Sequence, residues 1–163
     1  MNCPNCKTQM QKNEISHDCE NCGFSLPFVY RGRRICEKEI QELFETKKTA
    51  WRDGWVRKDT KGTLCGRLVL SENSLSFETK TLSAKCPRCG STVHKDNKKW
   101  RCSKCEFCVG EVLFGRKMSQ ENIEKLLFFG QSDFFEDFVS SANGKFFSGS
   151  ISIDENFNLK MNF

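Results

Sequence analysis

Cys86-Pro87-Arg88-Cys89, a gap of twelve residues, then Cys102-Ser103-Lys104-Cys105: this stretch decides how the chain folds, because it occurs twice. Cys3-Pro4-Asn5-Cys6 and Cys19-Glu20-Asn21-Cys22 stand 83 positions earlier with the same twelve-residue gap. The same offset carries Gly32-Arg33 onto Gly115-Arg116, Ile40 onto Ile123 and Leu43 onto Leu126. An internal duplication separates what both copies keep, which is architecture, from what is free to vary.

Cys-x2-Cys places two sulfurs on one tight turn, where both reach a single ion at about 2.3 Å, and a second such knuckle completes a tetrahedron. The residues between are enough for a short β-hairpin, which is the pattern of a zinc ribbon. Tetrahedral sulfur ligation favours Zn²⁺, with iron as its chief competitor. Cys3, Cys6, Cys19 and Cys22 are therefore expected to hold one Zn²⁺, and Cys86, Cys89, Cys102 and Cys105 a second. With every position filled by cysteine, neither site keeps a coordination position open for catalysis. Three cysteines stay outside. Cys108 falls on Ser25 of the first copy, Cys36 falls on Ser119 at a helix N-cap position, and Cys65 sits in an expected strand. His17 falls on Trp100, so packing beside the metal site is expected of it rather than ligation.

A chain of 163 residues split into two copies makes two small units, and cores of that size often need a metal or disulfide staple. No apolar run approaches the roughly 18 residues of a membrane helix, and no secretory signal opens the chain. The expectation is a cytoplasmic protein with reduced thiols and no membrane partner. The formal charge of +5 is not by itself a nucleic-acid signal. Four thiolates on one Zn²⁺ leave −2, so two sites lower the total to about +1. Local clusters carry the information instead. The second ribbon has Lys85, Arg88, Lys95, Lys98, Lys99, Arg101 and Lys104 against Asp96 and Glu106; the first has Lys7 and Lys12 against Glu14, Asp18 and Glu20.

Beyond each ribbon the copies continue together. Ile40, Leu43 and Phe44 match Ile123, Leu126 and Leu127, the i, i+3, i+4 spacing that buries one helix face. Ser119 is a helix start and Gly130 a stop. Strand-like stretches follow at 50–57 and 133–140, then glycine turns at Lys61-Gly62 and Asn143-Gly144. Paired β runs at 64–70 with 75–77 and at 146–153 with 157–163 close each copy. The fold class is α+β: two tandem units, each a four-cysteine zinc ribbon followed by one helix and a small antiparallel β-sheet. The expected domains are 1–82, with its ribbon at 1–30 and helix–sheet repeat at 31–80, and 83–163, with its ribbon at 84–113 and repeat at 114–163. The fifteen phenylalanines are expected mostly to fill the two cores.

These residues resemble the C-terminal repeats of bacterial type IA DNA topoisomerases. The carriers are the four-cysteine ribbons, Gly115 to Ser119, Ile123 to Leu127, Asn143-Gly144-Lys145-Phe146-Phe147 and the alternation from Ile151 to Phe163; the first copy shows them more loosely, through Gly32 to Cys36 and Ile40 to Phe44. Thr63-Leu64 departs from the pattern where it has phenylalanine. The acidic cluster and nucleophilic tyrosine of the whole enzyme are absent: the one tyrosine, Tyr30, is matched by Leu113, and no Asp-x-Asp occurs. The resemblance implies a non-catalytic module that holds DNA, preferably single-stranded and with little sequence specificity, for a catalytic body elsewhere.

Such binding needs cations for phosphates and aromatic faces for unstacked bases. The candidates are Arg31, Arg33, Arg34, Trp51, Arg52, Trp55 and Arg57 in the first copy, and Arg88, Lys95, Lys98, Lys99, Trp100, Arg101 and Lys104 in the second. Trp51 and Trp55, four apart on one strand face, match Phe134 and Phe138 and are read more often as core than as base contacts. The expected chain is a monomer, nucleoid-associated in the cytoplasm. The alternative reading is a zinc-ribbon adaptor that docks on RNA polymerase or on a replication or topoisomerase partner. The chain is also read as a piece of a larger enzyme or as a stand-alone product; the sequence leaves both open.

Overall fold

The computed structural model describes residues 1–58, 62–72 and 74–163, so Lys61 of the expected Lys61-Gly62 turn lies outside the described residues. The chain falls into two compact units, Met1–Lys80 and Thr81–Phe163.

In the first unit, β1 (Gln11–Lys12), β2 (Ser16–Asp18) and β3 (Ser25–Pro27) form an antiparallel ribbon in that order. A two-stranded turn follows, β4 (Val29–Tyr30) with β5 (Arg33–Arg34), then helix α1 (Glu37–Thr46). The sheet β6 (Arg52–Val56), β7 (Thr63–Ser71) and β8 (Ser74–Thr79) closes the unit, with β7 central. The second unit repeats this. Its ribbon is β9 (Thr81–Lys85), β10 (Thr92–Asp96), β11 (Lys99–Cys102) and β12 (Cys108–Gly110), in the order β12-β11-β10-β9. The turn β13 (Val112–Leu113) with β14 (Arg116–Lys117), helix α2 (Gln120–Phe129), and the sheet β15 (Phe135–Val139), β16 (Phe146–Ile153), β17 (Leu159–Asn162) follow. No helix among the described residues is long and apolar enough to cross a membrane.

Equivalent residues make equivalent bonds. Leu68 N–H bonds Thr49 Oγ1 at 3.0 Å in one unit, and Ile151 N–H bonds Ser132 Oγ at 2.9 Å in the other. The Gly-Arg pair kept by both copies has a steric cause. Arg31-Gly32 and Phe114-Gly115 all take left-handed φ, from 45° to 75°. A Cβ on Gly32 would meet Val56 Cγ2 at 2.5 Å, and one on Gly115 would meet the Val139 carbonyl oxygen at 2.6 Å. The turn is pressed against the first strand of the sheet, where Val56 N–H bonds Arg31 O and Val139 N–H bonds Phe114 O.

Ribbon and sheet share one core in each unit, so the metal knuckle is part of the packing. Phe24 and Leu26 of the first ribbon are buried with Leu43, Trp55 and Leu68. Val93, Trp100 and Phe107 of the second are buried with Ile123, Leu126, Phe138 and Ile151. Both helices end in the left-handed conformation, at Lys47 and at Gly130. Ser119 caps α2, its Oγ accepting the Asn122 N–H at 3.1 Å.

Three expectations need correction. The boundary lies at Lys80/Thr81, two residues before the expected one, because Thr81–Lys85 pairs with β10 as an added ribbon strand. Trp51 and Trp55 do not share a face: the register runs Arg52↔Gly66, then Trp55↔Leu64, so β6 carries an extra residue between them. Trp55 is fully buried while Trp51 is 37% exposed. The phenylalanines fill the cores only in part: Phe24, Phe107 and Phe138 are buried and Phe44, Phe77, Phe135, Phe147 and Phe157 pack half-buried against the cores, whereas Phe114, Phe128, Phe129, Phe134, Phe146 and Phe163, all in the second unit, are exposed.

Candidate metal centres and nucleic-acid interface

Each Cys-x2-Cys is folded by its own backbone. Cys3 O accepts Lys7 N–H at 3.1 Å, Cys19 O accepts Gly23 N–H at 2.8 Å and Cys86 O accepts Gly90 N–H at 2.8 Å. Lys7, Gly23 and Gly90 turn the chain with left-handed φ values of 64°, 72° and 70°. Cys102 closes its own turn through its N–H, donated to Phe107 O at 2.9 Å, while its Sγ accepts the Cys105 N–H at 3.4 Å. The hairpin between knuckles then brings the two pairs together.

In each unit the four Sγ atoms lie within 4.8 Å of one another. Cys3–Cys22 and Cys6–Cys19 are 3.5 and 3.3 Å apart, and Cys86–Cys105 and Cys89–Cys102 are 3.6 and 3.4 Å. A tetrahedron with arms of about 2.3 Å has edges of about 3.8 Å, and a disulfide measures about 2.05 Å. The sulfurs therefore stand near tetrahedral edges and far from disulfide length. Each cluster can hold a metal ion.

The thiols are prepared unequally. Hydrogen bonds from Asn21 and then Thr8 lower Cys6 to about 5, and hydrogen bonds from Ser91 lower Cys89 to about 6. These are equivalent positions, the outer cysteine of the first knuckle, and in both the hydrogen bonds favour the thiolate that a metal ion takes. Burial pushes Cys86 up to about 12. An ion must displace that proton, so binding releases protons and weakens in acid. Cys36 and Cys108 are exposed and Cys65 is buried, and none of the three joins a cluster. His17 packs edge-on against Phe28 with ring centroids 5.0 Å apart.

The other candidate residues divide by what they already touch. Arg33 Nη1 lies 2.6 Å from Glu39 Oε1, with its guanidinium 4.7 Å from the centre of the Trp55 ring. Arg52 reaches Glu39 and Glu42, each at 3.0 Å. Arg31 lies over Phe77 at 4.5 Å. Arg67 covers Trp51 at 4.4 Å. Trp55 is buried and donates Nε1–H to Gly66 O at 3.1 Å. Trp100, 2% exposed, is sealed into the second core. Lys95 pairs with Glu111, Arg101 with Asp96 at 3.0 Å, and Arg57 is half-buried. Of these candidates, Arg34, Arg88, Lys98, Lys99 and Lys104 are exposed with no ion pair among the described residues, as are Lys7 and Lys12 of the first ribbon. Arg88, Lys98, Lys99 and Lys104 lie on the second ribbon.

Sequence reasoning missed the exposed phenylalanines, though the duplication held a signal for them. Arg31, Glu45, Thr46 and Thr63 occupy the first-copy positions of Phe114, Phe128, Phe129 and Phe146, and strand register puts Thr79 at that of Phe163. Hydrophilic residues in one copy mark surface positions in both.

The chain is 26% identical over 165 residues to DNA topoisomerase 1 of Bacillus anthracis, a match covering 93% of this chain and 19% of the relative's length. No protein-family model matches the chain, and no solved structure matches it. The similarity and the two four-cysteine clusters bear out the resemblance to the zinc-ribbon repeats of topoisomerase C-terminal regions.

Proposed function

We propose that the chain is a non-catalytic, two-zinc module that binds DNA, with a preference for single strands and little preference for sequence. The observation that carries this reading is the second ribbon, where a four-sulfur cluster sits beside Arg88, Lys98, Lys99 and Lys104, cations that no acidic partner neutralises among the described residues. The similarity to a stretch of DNA topoisomerase 1 supports the same reading. Zn²⁺ is the ion, because an all-thiolate tetrahedral set suits it and structural sites of this kind are closed. When bound, it supplies no reactivity; the cysteines fix the hairpins, and the hairpins present the lysines. Phosphate contacts read no base edges, so sequence tolerance follows. The module works in the cytoplasm, on the nucleoid, as a monomer beside a topoisomerase catalytic body.

Fluorescence anisotropy with a labelled oligodeoxynucleotide at several salt concentrations tests this reading. Binding is expected to weaken as salt rises, and Lys98→Glu with Lys99→Glu to lower the log–log slope by about 1.4, or about 0.7 per lost phosphate contact on a single strand. Absence of binding at low salt defeats the proposal.

A protein-docking role is favoured by one observation. Phe128 and Phe129, exposed and 5.0 Å apart on α2, share a concavity with Glu121, Glu124 and Lys125, whose charge is paired with Asp133. RNA polymerase or a replication partner then becomes the ligand. A pull-down that survives nuclease and is lost in Phe128→Glu distinguishes that role.

A further inference from the structure

A small cavity of the first unit stands open where the second unit has a plug. It holds about 120 Å³ between the first ribbon and the start of α1, with Lys12, His17, Arg34 and Glu37 set against an apolar side of Phe28, Ile35 and Ile40. Lys12 faces His17 across the β1–β2 pairing, and its ammonium lies 5.8 Å from the centre of the half-buried Phe28 ring. Ile35 and Ile40 are buried. Neither Lys12 nor Arg34 has an ion pair among the described residues, and Glu37 is the one acid in the lining.

Strand register fixes the comparison between copies. Lys12↔His17 and His17↔Leu26 recur as Lys95↔Trp100 and Trp100↔Val109, and Val29↔Arg34 recurs as Val112↔Lys117. Ile35 N–H bonds Phe28 O as Met118 N–H bonds Glu111 O. Trp100 therefore stands at the place of His17, and Glu111 at that of Phe28. In the second unit Trp100 is sealed at 2% exposure and Glu111 pairs with Lys95. The first unit keeps the lysine but has neither the large ring nor the acid. Its cavity thus lacks the negative charge that the second unit supplies from its own chain.

We propose that the Lys12–His17–Arg34 cavity binds a terminal phosphate group, carried by the end of a nucleic-acid strand or as free phosphate. The volume lies well below the about 300–1,000 Å³ of sites that enclose a drug-sized ligand, so one charged group enters and a nucleoside does not. A phosphate monoester offers three strong acceptor oxygens. The Arg34 fork, the Lys12 ammonium and an imidazole N–H, which His17 has in either charge state, supply the donors. A carboxylate or a phosphodiester has only two free oxygens for them. Glu37 opposes the anion with one charge against those of Lys12 and Arg34. Use of the site on a strand end rests on the DNA-binding reading; affinity for free phosphate does not.

The test uses the full chain with zinc bound. Inorganic phosphate is titrated while amide resonances are followed, and saturable shifts are expected at Lys12, His17 and Arg34 but not at Lys95, Trp100 and Lys117. Affinity is then compared for oligothymidylates, labelled on an internal base, that carry a 5′-phosphate, a 3′-phosphate or neither. A preference of about tenfold for one phosphorylated end is expected. Arg34→Gln is expected to erase both the shifts and the preference, and so is His17→Trp with Phe28→Glu, which gives the first unit the plug and acid of the second. Arg34 is exposed, so zinc content is expected to be unchanged in Arg34→Gln even if the double variant fails to fold. Shifts at the cavity without a preference among the strands assign the site to free phosphate; a preference lost in Arg34→Gln assigns it to a strand end. Absence of both, shifts confined to the second ribbon, or a preference that survives Arg34→Gln overturns the proposal. If no strand binds at low salt while the cavity shifts persist, the DNA-binding reading falls and the site stands.

Discussion

At the entrance to the helix, the two units meet the same requirement with different chemistry. In the first, the N3 residue of α1 is Glu39, fully buried, receiving the Cys36 N–H at 3.1 Å and facing Arg33 and Arg52. In the second, the N3 residue of α2 is Asn122, which receives the Ser119 N–H at 3.1 Å. Phe135 replaces Arg52, and Arg116 lies 3.8 Å over its ring and bonds Asp137 at 2.6 Å. The backbone frame is the same. One unit is closed by a buried charge cluster, the other by aromatic stacking. The lesson is that duplication fixed the hydrogen-bonded frame and left the side chains around it to specialise, as the change from charged and hydroxyl residues to exposed phenylalanine shows again on the surface.

Metal removal offers the largest break in this comparison. Structural zinc contributes on the order of 10–16 kcal/mol to small metal domains, far more than a core this size supplies alone. Cys102→Ser is expected to halve the zinc content and collapse the amide resonances of the second unit, leaving those of the first. Loss of both sets together would show that the units do not fold independently.

Next in size is Glu39→Gln. Glu39→Gln leaves Arg33 and Arg52, 25% and 27% exposed, facing a neutral amide, so its cost falls below the about 3–5 kcal/mol of a fully buried pair, and Asn122→Ala removes a cap worth about 1 kcal/mol. Denaturant unfolding of the two variants is expected to rank them in that order. The pH dependence sharpens the contrast. Burial pushes the Glu39 carboxyl up, but hydrogen bonds from Arg33 and the Cys36 amide outweigh it and hold the group below the ordinary carboxylate range. Its stabilisation is thus complete above the unfolded value of about 4.3 and fades as pH falls through the lower folded value. The wild-type advantage over Glu39→Gln is expected to shrink in acid, and no such trend is expected for Asn122→Ala.

The smallest effect concerns the surface. Phe128→Glu with Phe129→Thr gives α2 the residues that α1 carries as Glu45 and Thr46. Thermal stability is expected to change by no more than about 0.5 kcal/mol, since neither ring is buried. Self-association, followed by light scattering, is expected to fall or stay level. A large loss of stability would place those rings in a core.

What was readable beforehand was local. Ligand spacing put the sulfurs on two hairpins, helical spacing marked Ile123, Leu126 and Leu127 as buried, and the exchange of Tyr30 for Leu113 argued against a nucleophile. Trp51 was misplaced because a single extra residue in β6 changes which face it occupies, and bulges leave no clear mark in composition. The exposed phenylalanines were misread for a related reason: hydrophobicity reports a tendency to be buried, while burial depends on which strand lies opposite.

The repeated cysteines and the apolar periods determined by themselves that this chain is two ribbon-helix-sheet units built around sulfur, since ligand geometry and helix pitch act over a few residues. Which rings are sealed in, which lysines lack acidic neighbours and which glutamate is buried were decided by strand register and by the turn pressed against each sheet. Those follow from how distant segments pack.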